Sequence, residues 1–214
     1  PTRRSSDLSV HCTLIEYAYY QMATDVGIKM NPCSIFKKDG LNHFLTQRFD
    51  RRNGEKLHMQ SFAALSHSDF NSPGSSSYEM LADYTQKLGG GSEEIKQVYR
   101  RMVFNVVGMN CDDHVKNFSF LMDRRGNWSL APAYDVTFAY APSNRWLSGH
   151  QMTVAGKTFR ITEEDLLQSG KIMGLNVKSC KQIINDSKEV LSNFREYAEK
   201  NLISEENIMK IAII

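Results

Sequence analysis

The chain has 214 residues, 41% of them hydrophobic and 23% charged, with 26 Lys plus Arg against 24 Asp plus Glu. That composition excludes a disordered or fibrous chain, and a formal charge of +2 gives no general argument for nucleic acid or membrane as a partner. At roughly 150 residues per domain the length allows one large domain or two small lobes, burying on the order of 70% of the unfolded surface.

Residues 9–26 read as a helix, because Leu14, Tyr17, Ala18, Met22 and Val26 recur at three- and four-residue steps. Gly27 suits its C-terminal cap and Pro32 prevents a restart. Residues 33–36 and 43–49 alternate with period two and read as strands joined by a hairpin turn at Asp39-Gly40. Residues 57–66 look helical, 72–77 form a Pro/Gly/Ser loop, and 78–88 form a helix ended by Gly89-Gly90-Gly91. Ser92 is expected to cap a helix running to about Met109, with Ile95, Val98, Met102 and Val106 facing inward. Residues 118–122 and 128–131 read as strands flanking a turn at 123–127. After an irregular stretch to about Gly156, helices are expected over 162–173, 177–201 and 204–211. No internal repeat is present.

The four cysteines, Cys12, Cys33, Cys111 and Cys180, form no CxxC pair. This excludes structural-zinc spacing and a disulfide scaffold, and fits a reducing, cytosolic compartment. No apolar run approaches the ~20 residues that span a bilayer, and no signal peptide is read. A cytoplasmic protein without membrane contact is expected. The first residue is Pro1 rather than Met, so the true start is expected upstream.

The chemically informative segment is Asn110-Cys111-Asp112-Asp113-His114-Val115-Lys116-Asn117. It follows an apolar helix and precedes a hairpin, and Asp135 comes eighteen residues after Asn117. A hairpin returns the chain near its starting point, so Asn117 and Asp135 can converge. Asp112, Asn117 and Asp135 then make a set of hard oxygen ligands suited to Mg²⁺ and substrate phosphates. Asp-x-x-x-x-Asn followed by a later Asp is the arrangement protein kinases use for phosphoryl transfer. There the first Asp accepts the hydroxyl proton, and the Asn and later Asp hold the metal. Lys116 stands in the loop where a cation can neutralise a transferring phosphoryl group. His114 is more simply a hydrogen-bonding loop residue than a zinc ligand, since no second His stands at helical spacing. Cys111 reads as a buried small residue rather than a nucleophile. Gly89-Gly90-Gly91-Ser92 lacks the Lys of a P-loop and reads as a cap and turn. Tyr17, Tyr19 and Tyr20 read as core or lobe-contact aromatics.

The stretch NCDDHVKNFSF at 110–120, with LAPAYD at 130–135, closely resembles the HipA-like serine/threonine kinases, the toxin components of bacterial type II toxin–antitoxin systems. Glu16-Tyr17-Ala18 with Gly27-Ile28, Gln47-Arg48-Phe49-Asp50-Arg51, His58-Met59-Gln60-Ser61 through Asp69-Phe70, and residues 152–157 are similar to further family segments, in order along nearly the whole chain. The resemblance implies an α+β, mostly helical, protein-kinase-like fold. Residues 1–52 would be the remainder of the N-lobe, with a helix, a hairpin and the hinge. Residues 53–214 would form a helical C-lobe with catalytic loop 110–117 and metal-binding segment 130–135. It implies Asp112 as catalytic base, Lys116 and His114 as further catalytic residues of the same loop, and Asn117 and Asp135 as Mg²⁺ ligands. Gln47, Arg48 and Phe49 would lie at the hinge beside the adenine of ATP. Glu16 would pair with an ATP-contacting lysine. In related sequences that lysine and the phosphate loop precede a Pro resembling Pro1, so they are expected upstream or on a second polypeptide. The chain by itself would then lack half of the ATP clamp and could be inactive in isolation.

The resemblance further implies a growth-arrest toxin that phosphorylates a protein substrate on Ser or Thr, typically a translation component such as an aminoacyl-tRNA synthetase. The partner expected is a helix-turn-helix antitoxin, with DNA reached only through it. Two other readings stay open: a non-catalytic kinase-like module that holds such a partner, and a small-molecule phosphotransferase.

Overall fold

The structure is a computed structural model that describes residues 12–52 and 54–212. Helix α1 (Cys12–Asp25) buries Leu14, Ala18 and Met22 of the expected stripe, with Val26 buried just beyond it; Tyr17 is only half-buried, while Tyr19 and Ala23 are buried instead, and residues 9–11 of the expected helix lie outside the described residues. Gly27, at φ +81°, turns the chain, and the Ile28 amide closes the cap on the Ala23 carbonyl at 2.9 Å. Strands β1 (Cys33–Lys38) and β2 (Leu41–Thr46) pair antiparallel, with Lys38 opposite Leu41. Between them Asp39 and Gly40 both have positive φ, as a two-residue hairpin turn requires. β2 stops at Thr46, short of the expected Phe49: the Gln47 amide still bonds its in-register partner, the Pro32 carbonyl, at 2.9 Å, but Pro32 has no N–H to return the bond.

β3 (Arg51–Arg52) and β4 (Glu55–Lys56) form a minimal pair. The helix expected from residue 57 begins only at Phe62. Residues His58–Ser61 are instead strand β5, paired with β6 (Ser119–Met122) from His58 opposite Met122 to Ser61 opposite Ser119. A long-range ladder here overrides local helical pattern. Ser61 then caps the short helix α2 (Phe62–Ser66). β6 is the central strand, flanked on its other side by β7 (Trp128–Leu130).

Helix α3 (Tyr78–Lys87) is capped by Ser77. In α4 (Ser92–Val107) the cap position falls on Gly91, without a side-chain hydrogen bond, so Ser92 is the first helical residue rather than the cap. Ile95, Val98 and Met102 are buried as expected, and Val106 is half-buried. Helix α5 (Glu163–Ile172) starts from a capping box between Thr162 and Asp165. The single helix expected over 177–201 is two, α6 (Val177–Ser192) and α7 (Phe194–Lys200), broken at Asn193. The break lets Phe194 and Ala198 turn inward against α1. α8 (Glu205–Ala212) ends the described chain.

The apolar side chains gather into two cores. One packs α3, α4, α5, α6 and the three-stranded sheet around Tyr78, Tyr99, Met102, Phe120 and Ile184. The other joins α1 to α7 and α8 around Tyr19, Met22, Phe104, Val136, Phe194 and Ile208. Helix α4 feeds both. The architecture is α+β and mostly helical. Among the described residues no helix is long and apolar enough to cross a membrane.

Candidate functional site

The loop expected to carry chemistry starts where α4 stops. Gly108 caps the helix at close quarters: a Cβ there would lie 2.8 Å from the Phe104 carbonyl. Met109, at φ +51°, then reverses the chain. Residues Asn110 and Ala139 form a parallel bridge, with the Cys111 amide on the Ala139 carbonyl at 3.0 Å and the Ala139 amide on the Met109 carbonyl at 3.1 Å. From Cys111 to Lys116 burial alternates: Cys111, Asp113 and Val115 are buried, while Asp112, His114 and Lys116 are partly exposed.

Asp113 is the anchor of this loop and is 1% exposed. Its carboxylate accepts hydrogen bonds from the Tyr78 hydroxyl (2.7 Å) and the Gln151 amide (2.7 Å), and His150 Nδ1 lies 3.0 Å away. Asn105 donates to the Tyr78 hydroxyl at 2.8 Å, and Asn110 donates to Asn105 at 3.0 Å. Burial, and then the Asp113 charge, push the Tyr78 phenol well above its ordinary range, so it stays a donor. Sequence reasoning does not single out Asp113, Tyr78, His150 or Gln151. The inward side of the loop carries an acid there, so an apolar/polar alternation, which is the usual signal, is hidden.

Residues Val115–Asn117 form one 3-10 turn, closed by the Asn117 amide on the His114 carbonyl at 2.8 Å. The Asn117 side-chain nitrogen donates to the Asp112 carbonyl at 2.9 Å. The opposite end of that amide is its oxygen, a hard donor. Asp112 Oδ1 lies 3.8 Å from His114 Nε2, both side chains being 23% exposed, and His114 Nδ1 is buried without a hydrogen-bond partner. Lys116 Nζ stands over the ring of Phe70, 3.4 Å from its centroid. Cys111 is buried, and burial followed by the two neighbouring carboxylates pushes its thiol up to about 12, which leaves it protonated and not a nucleophile.

The β6–β7 hairpin, turned by Asp123 accepting from the amides of Arg125 and Asn127, returns the chain to this loop. Beyond β7 the Ala131 amide bonds the Ser119 carbonyl at 2.9 Å, and the Ala133 amide bonds the Lys29 carbonyl at 2.8 Å. Tyr134 donates to the Lys116 carbonyl at 2.7 Å and shares a 2.6 Å contact with the Ser119 hydroxyl. Asp135 follows in the left-handed region, at φ +55°. Asn117 and Asp135 line one narrow cleft, about 10 Å³ in volume, together with Asp113, Asn105, Asn110 and Arg101. Arg101 is 4% exposed, and burial lowers it to about 10, still charged at neutral pH. It donates to the Ala131 carbonyl at 2.7 Å and so holds the segment after β7 that leads to Asp135.

Of the expected hinge residues, Phe49 reaches this region: its ring packs against Tyr134, 5.5 Å between centroids. Arg48 holds the buried Asp50 in a two-pronged ion pair at 2.7 and 2.8 Å, which keeps that carboxyl down at about 2. Gln47 has its amide on Pro32 and its carbonyl on Asn31. Glu16 lies on α1 towards β1, where its charge helps raise the Cys33 thiol, after burial. Glu16, Gln47 and Arg48 do not line the cleft; neither do Asp112, His114 and Lys116, which lie on the loop beside it.

Among the described residues no group of three or more His, Cys, Asp or Glu could hold a metal ion. The hard oxygen donors that line the cleft are the carboxylates of Asp113 and Asp135 and the amide oxygens of Asn110 and Asn117; Tyr78 and Gln151 occupy the Asp113 carboxylate, and Asn110 Oδ1 is buried without a hydrogen-bond partner. That set fits Mg²⁺, which keeps several waters and completes its shell with substrate phosphates, and fits no tightly chelated metal.

A mostly helical lobe, a small sheet and this loop–hairpin–Asp unit define a kinase-like α+β protein. Two solved structures share the fold. One is HipA of Shewanella oneidensis MR-1, from a complex of HipA, HipB and operator DNA, with TM-score 0.75 and 18% identity over 94% of this chain and 53% of that one. The other is the proinflammatory kinase CtkA of Helicobacter pylori, with TM-score 0.51 and 13% identity over 95% and 89%. The family model for the HipA-like C-terminal domain matches residues 3–194, and the chain belongs to that family. It spans about half the length of the Shewanella HipA chain. The kinase-like α+β fold and the HipA-like family expected from the sequence are both borne out.

Proposed function

We propose that the protein is an ATP- and Mg²⁺-dependent serine/threonine protein kinase of the HipA toxin type. The observation that supports this is that Asn117 and Asp135 line one narrow cleft, beside a loop whose turn is tied to the Asp112 backbone. In this reading Asp112 accepts the proton of the acceptor hydroxyl as its oxygen bonds to the γ-phosphorus and the bond to ADP breaks. Asn117 and Asp135 would hold Mg²⁺, which neutralises phosphate charge when bound. Lys116 and His114 supply cationic and hydrogen-bonding groups in the same loop. Phe49, packed on Tyr134, offers an apolar face for the adenine, flanked by Gln47 and Arg48. Glu16 would pair with the ATP-contacting lysine. The acceptor would be a translation component such as an aminoacyl-tRNA synthetase, and the site of action the cytoplasm. The Shewanella HipA structure includes HipB and operator DNA. By that analogy the partner is a helix-turn-helix antitoxin that carries the DNA contact.

The test is phosphoryl transfer from labelled ATP by the full gene product. Asp112→Asn is expected to lower turnover by about a thousandfold with the circular dichroism spectrum unchanged. Wild-type turnover in that variant would remove Asp112 as the base.

A further inference from the structure

Lys116 Nζ stands 3.4 Å from the Phe70 ring centroid, well inside the ~6 Å within which an ammonium is held by a ring face. Phe70 is 41% exposed, so burial does not account for its place. The loop that carries it is rigidly tied. Asp69 Oδ1 accepts from the backbone and side-chain nitrogens of Asn71 at 2.9 and 3.0 Å. The hydroxyls of Ser66, Ser68 and Ser76 form a chain at 2.7 and 2.9 Å. The Gly74 amide bonds the Gln151 carbonyl at 2.8 Å, and the Gln151 amide bonds Asp113 at 2.7 Å. The contacts therefore close a circuit: Asp113 holds Gln151, Gln151 holds the 67–77 loop, the loop holds Phe70, and Phe70 holds Lys116, three residues from Asp113.

We propose that Phe70 is a positioning residue, whose ring fixes the Lys116 ammonium in place for the transferring phosphoryl group and so makes the 67–77 loop part of the reaction site. The catalytic half of this inference rests on the kinase reading. A lysine ammonium is a point charge on a flexible four-carbon stem, and its alignment decides what it contributes to a transition state. Leucine at 70 would keep apolar volume and lose the ring face; tyrosine would keep both.

Two measurements on the full gene product test it. In protein labelled with ¹³C-lysine, the Lys116 ε-methylene protons lie in the shielding cone of the ring, and their resonance, assigned with Lys116→Arg, should be displaced upfield. Phe70→Leu should return it to the position of an exposed lysine, and Phe70→Tyr should keep it displaced. An unchanged resonance in Phe70→Leu overturns the proposal, whether or not the protein is a kinase. In phosphotransfer, Phe70→Leu should lower kcat about tenfold or more with KM for ATP nearly unchanged, and Phe70→Tyr should restore it. A wild-type or raised kcat in Phe70→Leu overturns the positioning role. Absence of phosphotransfer in the wild type would instead remove the kinase reading, and the lysine resonance alone would then decide whether Phe70 holds Lys116.

Discussion

Asp113 sets the loop that presents Asp112 and Asn117, although its own side chain faces away from solvent. A buried carboxylate is tolerated only when its lone pairs are satisfied, and here Tyr78, Gln151 and His150 surround it. Tyr78→Phe removes a donor from that carboxylate and the acceptor for Asn105. It is expected to cost about 1–3 kcal/mol in urea denaturation. Asp135 shows the opposite economy. It sits in a left-handed conformation that an L residue adopts at a cost, and Asp is among the side chains that tolerate it. Asp135→Ala should abolish Mg²⁺-dependent nucleotide binding in titration calorimetry of the full gene product, while Mg²⁺-independent binding persists.

At the scale of elements, the start of α5 is the most heavily specified helix end. Asp165 Oδ2 accepts from the Thr162 amide and hydroxyl, each at 2.8 Å, and from Lys157 Nζ at 2.9 Å. The lysine, then the Thr162 amide, hold this carboxyl at about 2, below the 3.8 of an unperturbed aspartate. A depressed carboxylate stabilises the fold fully above the unfolded value and loses that contribution as pH falls through the folded one. Asp165→Asn should therefore lower the melting temperature at pH 7, and the gap to wild type should close between about pH 4 and pH 2 in thermal melts. Thr162→Ala should cost about 1 kcal/mol, or about 2–4 °C in a domain of this size.

Across the whole molecule, α4 is the common member of two cores. Met102 and Val103 pack into one and Phe104 into the other. Phe104→Ala should cost about 3–5 kcal/mol, and hydrogen exchange in α3 and α7 should accelerate together if the cores are one cooperative unit. Faster exchange confined to α1 and α7 would show two separable units. The same helix delivers the loop at residues 110–117, so the second core bears on the site through α4 and through Ile28, which lines the cleft.

Much of this architecture follows from short-range pattern alone: the apolar stripe of α1, the Asp39-Gly40 turn, the helices α3 and α5, and the Asn117-to-Asp135 spacing across a hairpin. Each depends on residues a few positions apart, or on a turn that brings near neighbours together. Other features depend on contacts between distant residues, which no local period encodes. His58–Ser61 become a strand only because β6 lies beside them. The helix after Val177 breaks at Asn193 only because Phe194 finds a pocket against α1. Asp113 turns inward only because Tyr78 and His150 wait there, and Lys116 settles on Phe70 from another loop. Local conformational preference amounts to tenths of a kcal/mol per residue, and packing of such distant partners outweighs it.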